Sequence, residues 1–203
     1  MSARSLVVSL GLALALVGAS RSQEGDKPDP ARPKFSREQG KPEELKQRIV
    51  DLLGALGDAG GAEKAKQLLA AMAPDEKAVE DALTPEGKQA IGQRLLEAAK
   101  PLFEGEPKAV AERMKLDPAL SDVQVFSATT EDLLGMEPET DAATHFAGGL
   151  KRAARHLKPR VKFYAVLMRR PEAPETEGGV RLQLFVHFQG RYVLLGKVWR
   201  LED

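Results

Sequence analysis

Apolar side chains recur every three or four positions from residue 42 to about residue 116, which is the spacing of amphipathic α-helices. Proline, glycine and capping residues divide this part of the chain into separate helices. The successive helices are marked by Pro42, Ala65, Asp75, Pro85 and Pro107. Pro101 is expected to kink or end the fourth of them. The sequence therefore predicts a helical region over residues 42–116.

From residue 117 onward the pattern changes to short apolar runs and strict alternation, which indicates strands. The predicted strands are 123–126, 161–169, 180–188 and 191–201. A brief helix capped by Thr129 or Thr130 and a longer one from Thr140 to about Leu157 lie between the first two strands. The polar segment 170–179 is predicted to be an exposed loop. The fold class is therefore α+β, with N-terminal helices followed by a small curved antiparallel sheet packed on a long helix.

The last two strands are predicted to form a hairpin around Gly190. The possible turn registers divide the hairpin into the same two faces, because side chains alternate along a strand. One face is apolar and predicts a core: Val180, Leu182, Leu184, Val186, Phe188, Val193, Leu195, Trp199 and Leu201. The other face is mixed: Arg181, Gln183, Phe185, His187, Tyr192, Leu194, Gly196, Val198 and Arg200. This mixed face fits the wall of a half-buried pocket, and equally a surface covered by a helix.

The chain begins with the pattern of a secretion signal. Arg4 precedes the apolar stretch 6–17, and Val17-Gly18-Ala19 offers compact residues for cleavage after Ala19. The apolar stretch is shorter than the roughly 20 residues of a membrane-spanning helix, although an uncleaved anchor is the alternative. Ser20 stands where a bacterial lipoprotein needs cysteine. We therefore expect export to the periplasm or the exterior without a lipid anchor or a stable membrane span.

Composition limits the domain organisation and the partners. Cleavage after Ala19 would leave 184 of the 203 residues, with 29 basic and 30 acidic side chains of the original 30 and 30. A nearly neutral protein has no global field that favours nucleic acid. The absence of cysteine excludes disulfides, thiolate metal sites and thiol nucleophiles. We expect a signal peptide (1–19), a disordered linker (20–41), a helical region (42–116) and an α+β region (117–203). The alternative is that residues 84–116 belong to one domain with the α+β region.

The order of elements from about residue 88 onward is helix, short helix, strand, helix and three strands. The chain ends in an aromatic hairpin, FVHFQGRYVLLGKVWRL, with a polar-Gly-basic-aromatic turn at 189–192 and apolar alternation up to Trp199. This arrangement resembles the NTF2-like superfamily of cone-shaped α+β domains, in which a curved sheet wraps a long helix. The chain has one strand before the long helix, where many members have a hairpin, and the helices of residues 42–83 are additional. The resemblance implies either an enzyme or a non-catalytic binding module.

The mixed face of the hairpin supplies the candidate site residues. The predicted ligand contacts are Arg181, Gln183, Phe185, His187 and Tyr192. His187 is also a weak candidate for a catalytic general base, since histidine titrates near neutral pH. No Asp or Glu on the same face would orient it.

His145 and His156 are 11 positions apart, which is about three helical turns or roughly 16 Å, too far apart to share one metal ion. We therefore expect neither a metal nor a cofactor.

Residues 151–170 contain eight Lys or Arg residues and no acid. Lys151, Arg152, Arg155 and Lys158 form a candidate contact for an anionic envelope polymer, such as a glycan or a lipid head group. The alternative is that these cations follow the negative end of a helix dipole.

Three functions are consistent with the sequence. The first is an exported, non-enzymatic binding or interaction protein for an unknown small molecule or protein partner. The second is a metal-independent enzyme of NTF2-like type that uses His187. The third is a structural or partner-docking role for the helices of residues 42–83, whose composition suits helix-in-groove contacts.

Overall fold

The computed structural model describes residues 39–173 and 178–201. The signal peptide prediction and most of the linker prediction lie outside these residues. The helices are α1 (Pro42–Gly57), α2 (Ala62–Met72), α3 (Glu76–Ala82), α4 (Pro85–Gly87), α5 (Gln93–Phe103), α6 (Pro107–Met114), α7 (Thr130–Leu134), α8 (Asp141–His145) and α9 (Leu150–Ala153). The strands are β1 (Asp122–Thr129), β2 (Lys162–Arg169), β3 (Val180–Phe188) and β4 (Arg191–Leu194). A π-helical segment, Lys88–Gly92, joins α4 to α5, and 3-10 turns cover Ala154–His156 and Val198–Arg200.

Side-chain caps begin several helices where the sequence predicts them. The Asp75 carboxylate accepts a hydrogen bond from the Ala78 amide at 2.8 Å, and the Thr84 hydroxyl accepts one from the Gly87 amide at 2.9 Å. Each bond satisfies an amide that has no partner within the first helical turn. Pro101 does not end its helix, because α5 continues to Phe103.

The four strands form one antiparallel sheet in the order β1-β2-β3-β4. Helices α1, α2 and α6 supply the core on one face, with Tyr164, Val166 and Met168 from β2. Helices α3, α5, α7, α8 and α9 supply the core on the other face, with Phe163 and Ala165. The α+β prediction is therefore confirmed: N-terminal helices precede a small antiparallel sheet, and the 16-residue helix α1 packs against it.

A β-bulge at Leu184 changes the predicted faces of β3. Phe185 pairs with Tyr164 and Gln183 pairs with Ala165, which leaves Leu184 without a partner in β2. Leu184 has a φ of +66°, the left-handed conformation found at many bulges. Because of this extra residue, the side chains of residues 180–183 point to the opposite faces of the sheet from those that strict alternation predicts. The prediction that Val180 and Leu182 share a face with Leu184 is therefore wrong, since both pack with the opposite core.

Two other predicted elements are shorter than expected. Strand β4 ends at Leu194, not Leu201, and the chain turns away at Gly196, which has a φ of +75°. The predicted helix from Thr140 to Leu157 is instead three short pieces, α8, α9 and a 3-10 turn. Its break follows from Phe146, whose extended backbone ends α8 while its side chain enters the core.

The end of the predicted linker is bound to the sheet. The Tyr164 hydroxyl donates a hydrogen bond to the carbonyl oxygen of Gly40, and the Tyr192 hydroxyl donates to that of Lys41 at 2.6 Å. Gly40 is buried. We define residues 39–41 as the N-terminal strap. The described residues group into one compact unit, and both predicted regions contribute to both cores.

Two glycine-to-alanine substitutions provide a matched test of this packing. A β-carbon at Gly87 would overlap the carbonyl oxygen of His156 and lie 2.9 Å from its Cα, whereas one at Gly54 in α1 would meet nothing within 4 Å. Gly87→Ala should lower the free energy of unfolding by about 1–3 kcal/mol. Gly54→Ala should leave it unchanged or raise it by up to about 1 kcal/mol. Urea unfolding of both variants measures the difference, and equal stabilities would contradict the close approach at Gly87.

Candidate functional site

A cleft of about 600 Å³ lies beside the first half of β3. Strand β4 pairs only with the second half of β3, and the last backbone bond between them runs from the Leu195 amide to the Leu184 carbonyl. In the described structure no strand therefore flanks residues 180–183 on that side. Helix α5, the end of α6 and the segment after β4 form the remaining walls. We call this space the cleft.

The walls of the cleft are largely apolar. Its apolar lining includes Leu95, Ala99, Leu102, Phe103, Leu182 and Trp199. Leu102 keeps 36% of its surface exposed at the wall of the cleft. Trp199 rests on Gly149, where a β-carbon would lie 2.6 Å from the indole Cδ1 atom. The absence of a side chain at Gly149, the residue before α9, therefore allows the indole of Trp199 to lie at the wall of the cleft.

Cationic side chains surround this apolar lining. We define the basic rim as Arg113, Lys115, Arg181, Lys197 and Arg200, all of which are exposed and line the cleft. No Asp or Glu is among the described lining residues, and no rim residue forms an ion pair with a described residue. The acidic residues of 174–177 and 202–203 lie outside the described residues. The rim therefore presents positive charge next to an apolar surface, and no carboxylate of the described residues pairs with it.

Main-chain carbonyls orient two of the rim guanidinium groups. Arg113 donates to the carbonyl oxygen of Glu104, and Arg181 donates to those of Thr144 and His145 at 3.3 Å each. A carbonyl accepts a hydrogen bond without cancelling the cationic charge. These contacts therefore hold the arginines in place and leave their charge available.

Gln183 joins the cleft to the loop after α8. Its side-chain oxygen accepts a hydrogen bond from the Ala147 amide at 2.8 Å, and both residues line the cleft. The sequence places Gln183 and Arg181 on the hairpin face of Phe185. The bulge at Leu184 instead turns them to the opposite face, where they meet the loop and α8.

The other three predicted ligand residues lie outside the cleft, and two of them, His187 and Tyr192, lie beneath the N-terminal strap. Phe185 is fully buried, Tyr192 is 1% exposed and His187 is 8% exposed. The rings of His187 and Tyr192 are 5.0 Å apart, and a β-carbon at Gly40 would collide with both side chains. Burial, with further contributions from Tyr164 and Glu44, raises the pKa of Tyr192 well above the usual tyrosine range. The ligand roles of these residues and the catalytic role of His187 stay predictions, and they form no part of the cleft.

A stacked aromatic pair lies beside Arg181. The rings of Phe126 and His145 are parallel within 7°, with centroids 3.5 Å apart. Burial lowers the pKa of His145 below its usual value, and the nearby Arg181 guanidinium lowers it further, while Asp141 partly opposes the shift. Periodicity within one element gives no sign of this pair, because its members come from β1 and α8.

Three of the four residues of the predicted anionic-polymer contact have partners within the protein, including Arg155, whose Nε donates a hydrogen bond to Nε2 of His156 at 3.3 Å. The Lys151 ammonium pairs with the Glu137 carboxylate at 2.6 Å. The backbone of Lys158 is anchored through its amide to Ala82 at 2.9 Å and through its carbonyl to the Thr130 hydroxyl at 2.6 Å. Arg152 and Arg155 are exposed. Binding of an anionic polymer by these four residues stays a prediction.

Among residues 39–173 and 178–201, no group of three His, Cys, Asp or Glu side chains has the geometry to hold a metal ion. No helix within this part of the chain combines the length and apolar character needed to span a bilayer. Comparison of the chain with protein-family models, with curated proteins and with solved structures finds no match.

The shifted pKa of His145 predicts a pH dependence of stability. In the unfolded chain His145 binds a proton near pH 6.5, whereas in the folded chain its pKa is lower. On acidification the unfolded state is therefore protonated at His145 before the folded state is. The free energy of unfolding should therefore fall as the pH drops below about 6.5. His145→Phe retains a ring against Phe126 and removes this titration.

Urea unfolding between about pH 7.5 and pH 5 compares the two proteins. The acid-side loss should be smaller in His145→Phe, with a constant difference between the proteins above about pH 7.5. An identical slope in both proteins would contradict the depressed pKa of His145.

Proposed function

We propose that this chain is an exported, non-enzymatic binding protein whose cleft takes a small, largely apolar molecule. The observation that carries the proposal is a concave apolar surface that neighbouring side chains leave open. Its volume of about 600 Å³ falls within the range typical of small-molecule sites. A ligand that covers Leu102 and Trp199 would be stabilised by roughly 25 cal/mol for each Å² of apolar surface removed from water.

The polar groups of the cleft also suit recognition. The side-chain oxygen of Gln183 accepts a hydrogen bond from the Ala147 amide at the wall of the cleft. The Arg181 guanidinium is oriented by two carbonyl oxygens of α8. Sites of this kind combine an apolar lining with a few placed polar groups. The cleft therefore offers both burial and orientation to a bound molecule.

The two alternative functions receive less support from the described residues. His187, the candidate general base, lies beneath the strap on the face of the sheet that is opposite to Gln183. The apolar stripes of α1 and α2 are already buried against the sheet, which leaves little apolar surface there for a docking partner. We therefore favour a binding role for the cleft over catalysis or helix docking.

Export and the NTF2-like relationship belong to the same proposal. Export rests on the pattern of residues 1–19. The NTF2-like relationship rests on element order and the terminal hairpin, and that superfamily includes binding modules. Detection of a mature N-terminus at Ser20 after expression with the full leader would test export.

A cleft-filling substitution tests the binding role. Ala98 lies on α5 at the cleft, and Ala70 is an exposed helical residue of α2 outside it. Ala98→Trp should weaken binding of the neutral dye N-phenyl-1-naphthylamine by about tenfold or more, since a bulky ring occupies the ligand space. Ala70→Trp is the matched control and should bind like the wild type. Fluorescence titration measures both affinities, and equal affinity in the two variants would refute the site.

A further inference from the structure

We infer that the ligand of the cleft is an amphipathic anion, whose apolar body lies along α5 and whose acidic group meets the basic rim. This inference rests on the proposed function, because it names the ligand class of the same cleft. Its basis is the juxtaposition of an open apolar surface with cations that no described carboxylate neutralises.

The rim is assembled from three separate parts of the chain. Arg113 and Lys115 come from the end of α6, Arg181 from the start of β3, and Lys197 and Arg200 from the segment after β4. The whole chain contains equal numbers of basic and acidic residues, 30 of each. A lining with five cations and no described acid is therefore a local arrangement produced by the fold, and it does not follow from the composition.

Several features make the rim suited to an anion. Lys197 and Arg200 flank Trp199 in sequence, so positive charge borders the apolar wall directly. Arg113 and Arg181 are held by main-chain carbonyls, which reduces the entropy that they would lose on binding. A guanidinium next to an apolar surface recognises carboxylate, sulfonate or phosphate through paired N–H groups.

A second groove in the same molecule provides an internal contrast. It has a similar volume, about 570 Å³, and lies between α1, α2 and α6. Its charged lining residues are Asp58, Glu106, Lys108, Glu112 and Asp117. The excess of acids in this groove repels anions, so an anionic ligand should distinguish between the two spaces.

Two related dyes separate the inference from the proposed function. 1-Anilinonaphthalene-8-sulfonate is N-phenyl-1-naphthylamine with an added sulfonate, so the pair differs by one negative charge. Wild-type protein should bind the sulfonate dye about tenfold more tightly at low salt, and added salt should reduce this advantage. Equal affinity for the two dyes would overturn the inference and leave the proposed function intact.

Charge reversal identifies the rim as the source of the preference. Lys197→Glu with Arg200→Glu should lower the affinity for the sulfonate dye by about tenfold or more, while affinity for the neutral dye changes little. Lys46→Glu with Lys66→Glu makes the same change in net charge at exposed helical positions outside the cleft and should retain both affinities. Equal losses in both double variants would overturn the role of the rim.

Two additions keep the test decisive. If the reversed variant fails to fold, Lys197→Gln with Arg200→Gln replaces it and should lose part of the preference for the sulfonate dye. Displacement of the neutral dye by dodecanoate should exceed displacement by dodecyltrimethylammonium about tenfold, and the reverse order would overturn the inference. Failure of both dyes to bind wild-type protein would instead refute the proposed function, and the inference with it.

Discussion

Strand β2 is buried on both of its faces, and this double burial determines where the protein can have an open, concave surface. Phe163, Tyr164, Ala165 and Val166 are all fully shielded from solvent, although consecutive side chains of a strand point to opposite faces. Helices must therefore cover both sides of the sheet, and neither face is free for recognition at its centre. The open surface lies instead at the edge of the sheet, beside the first half of β3, with which β4 does not pair. The cleft is thus a consequence of strand lengths and not of an uncovered sheet face.

Local chemistry made much of the fold predictable. The caps at Asp75 and Thr84 mark helices because they accept hydrogen bonds from free amides in the first turn. Prolines mark helix starts for a different reason, since proline has no amide hydrogen that would need a partner there. Strand β3 has the bounds that its alternation predicts. The bulge was not predictable, because a leucine in left-handed conformation has no local signature, and strict alternation assigns faces wrongly beyond it. The break at Phe146 likewise depends on the core that receives its ring.

The candidate site was only partly accessible to sequence reasoning. The sequence predicts Arg181 and Gln183 as ligand contacts, but on the face that the strap covers. Their partners in the structure, the loop and helix after Thr140, lie on the opposite face. The walls from α5 and the cations of α6 were missed entirely. They lie roughly 65 to 85 positions before the hairpin in sequence, and only tertiary packing brings them beside it. Burial of Tyr192 and His187 in turn requires a residue without a side chain at position 40. The sequence around Gly40 does not indicate this requirement, because it arises from contact with the sheet.

The contact between Trp199 and Gly149 gives this protein a spectroscopic property of its own. Trp199 is the chain's single tryptophan, and its indole stands at the cleft wall with one side fixed against a glycine. Its emission therefore originates from one defined place, and it responds to the polarity and water content of that place alone. Its natural fluorescence consequently offers a label-free test of whether a purified candidate molecule enters the cleft.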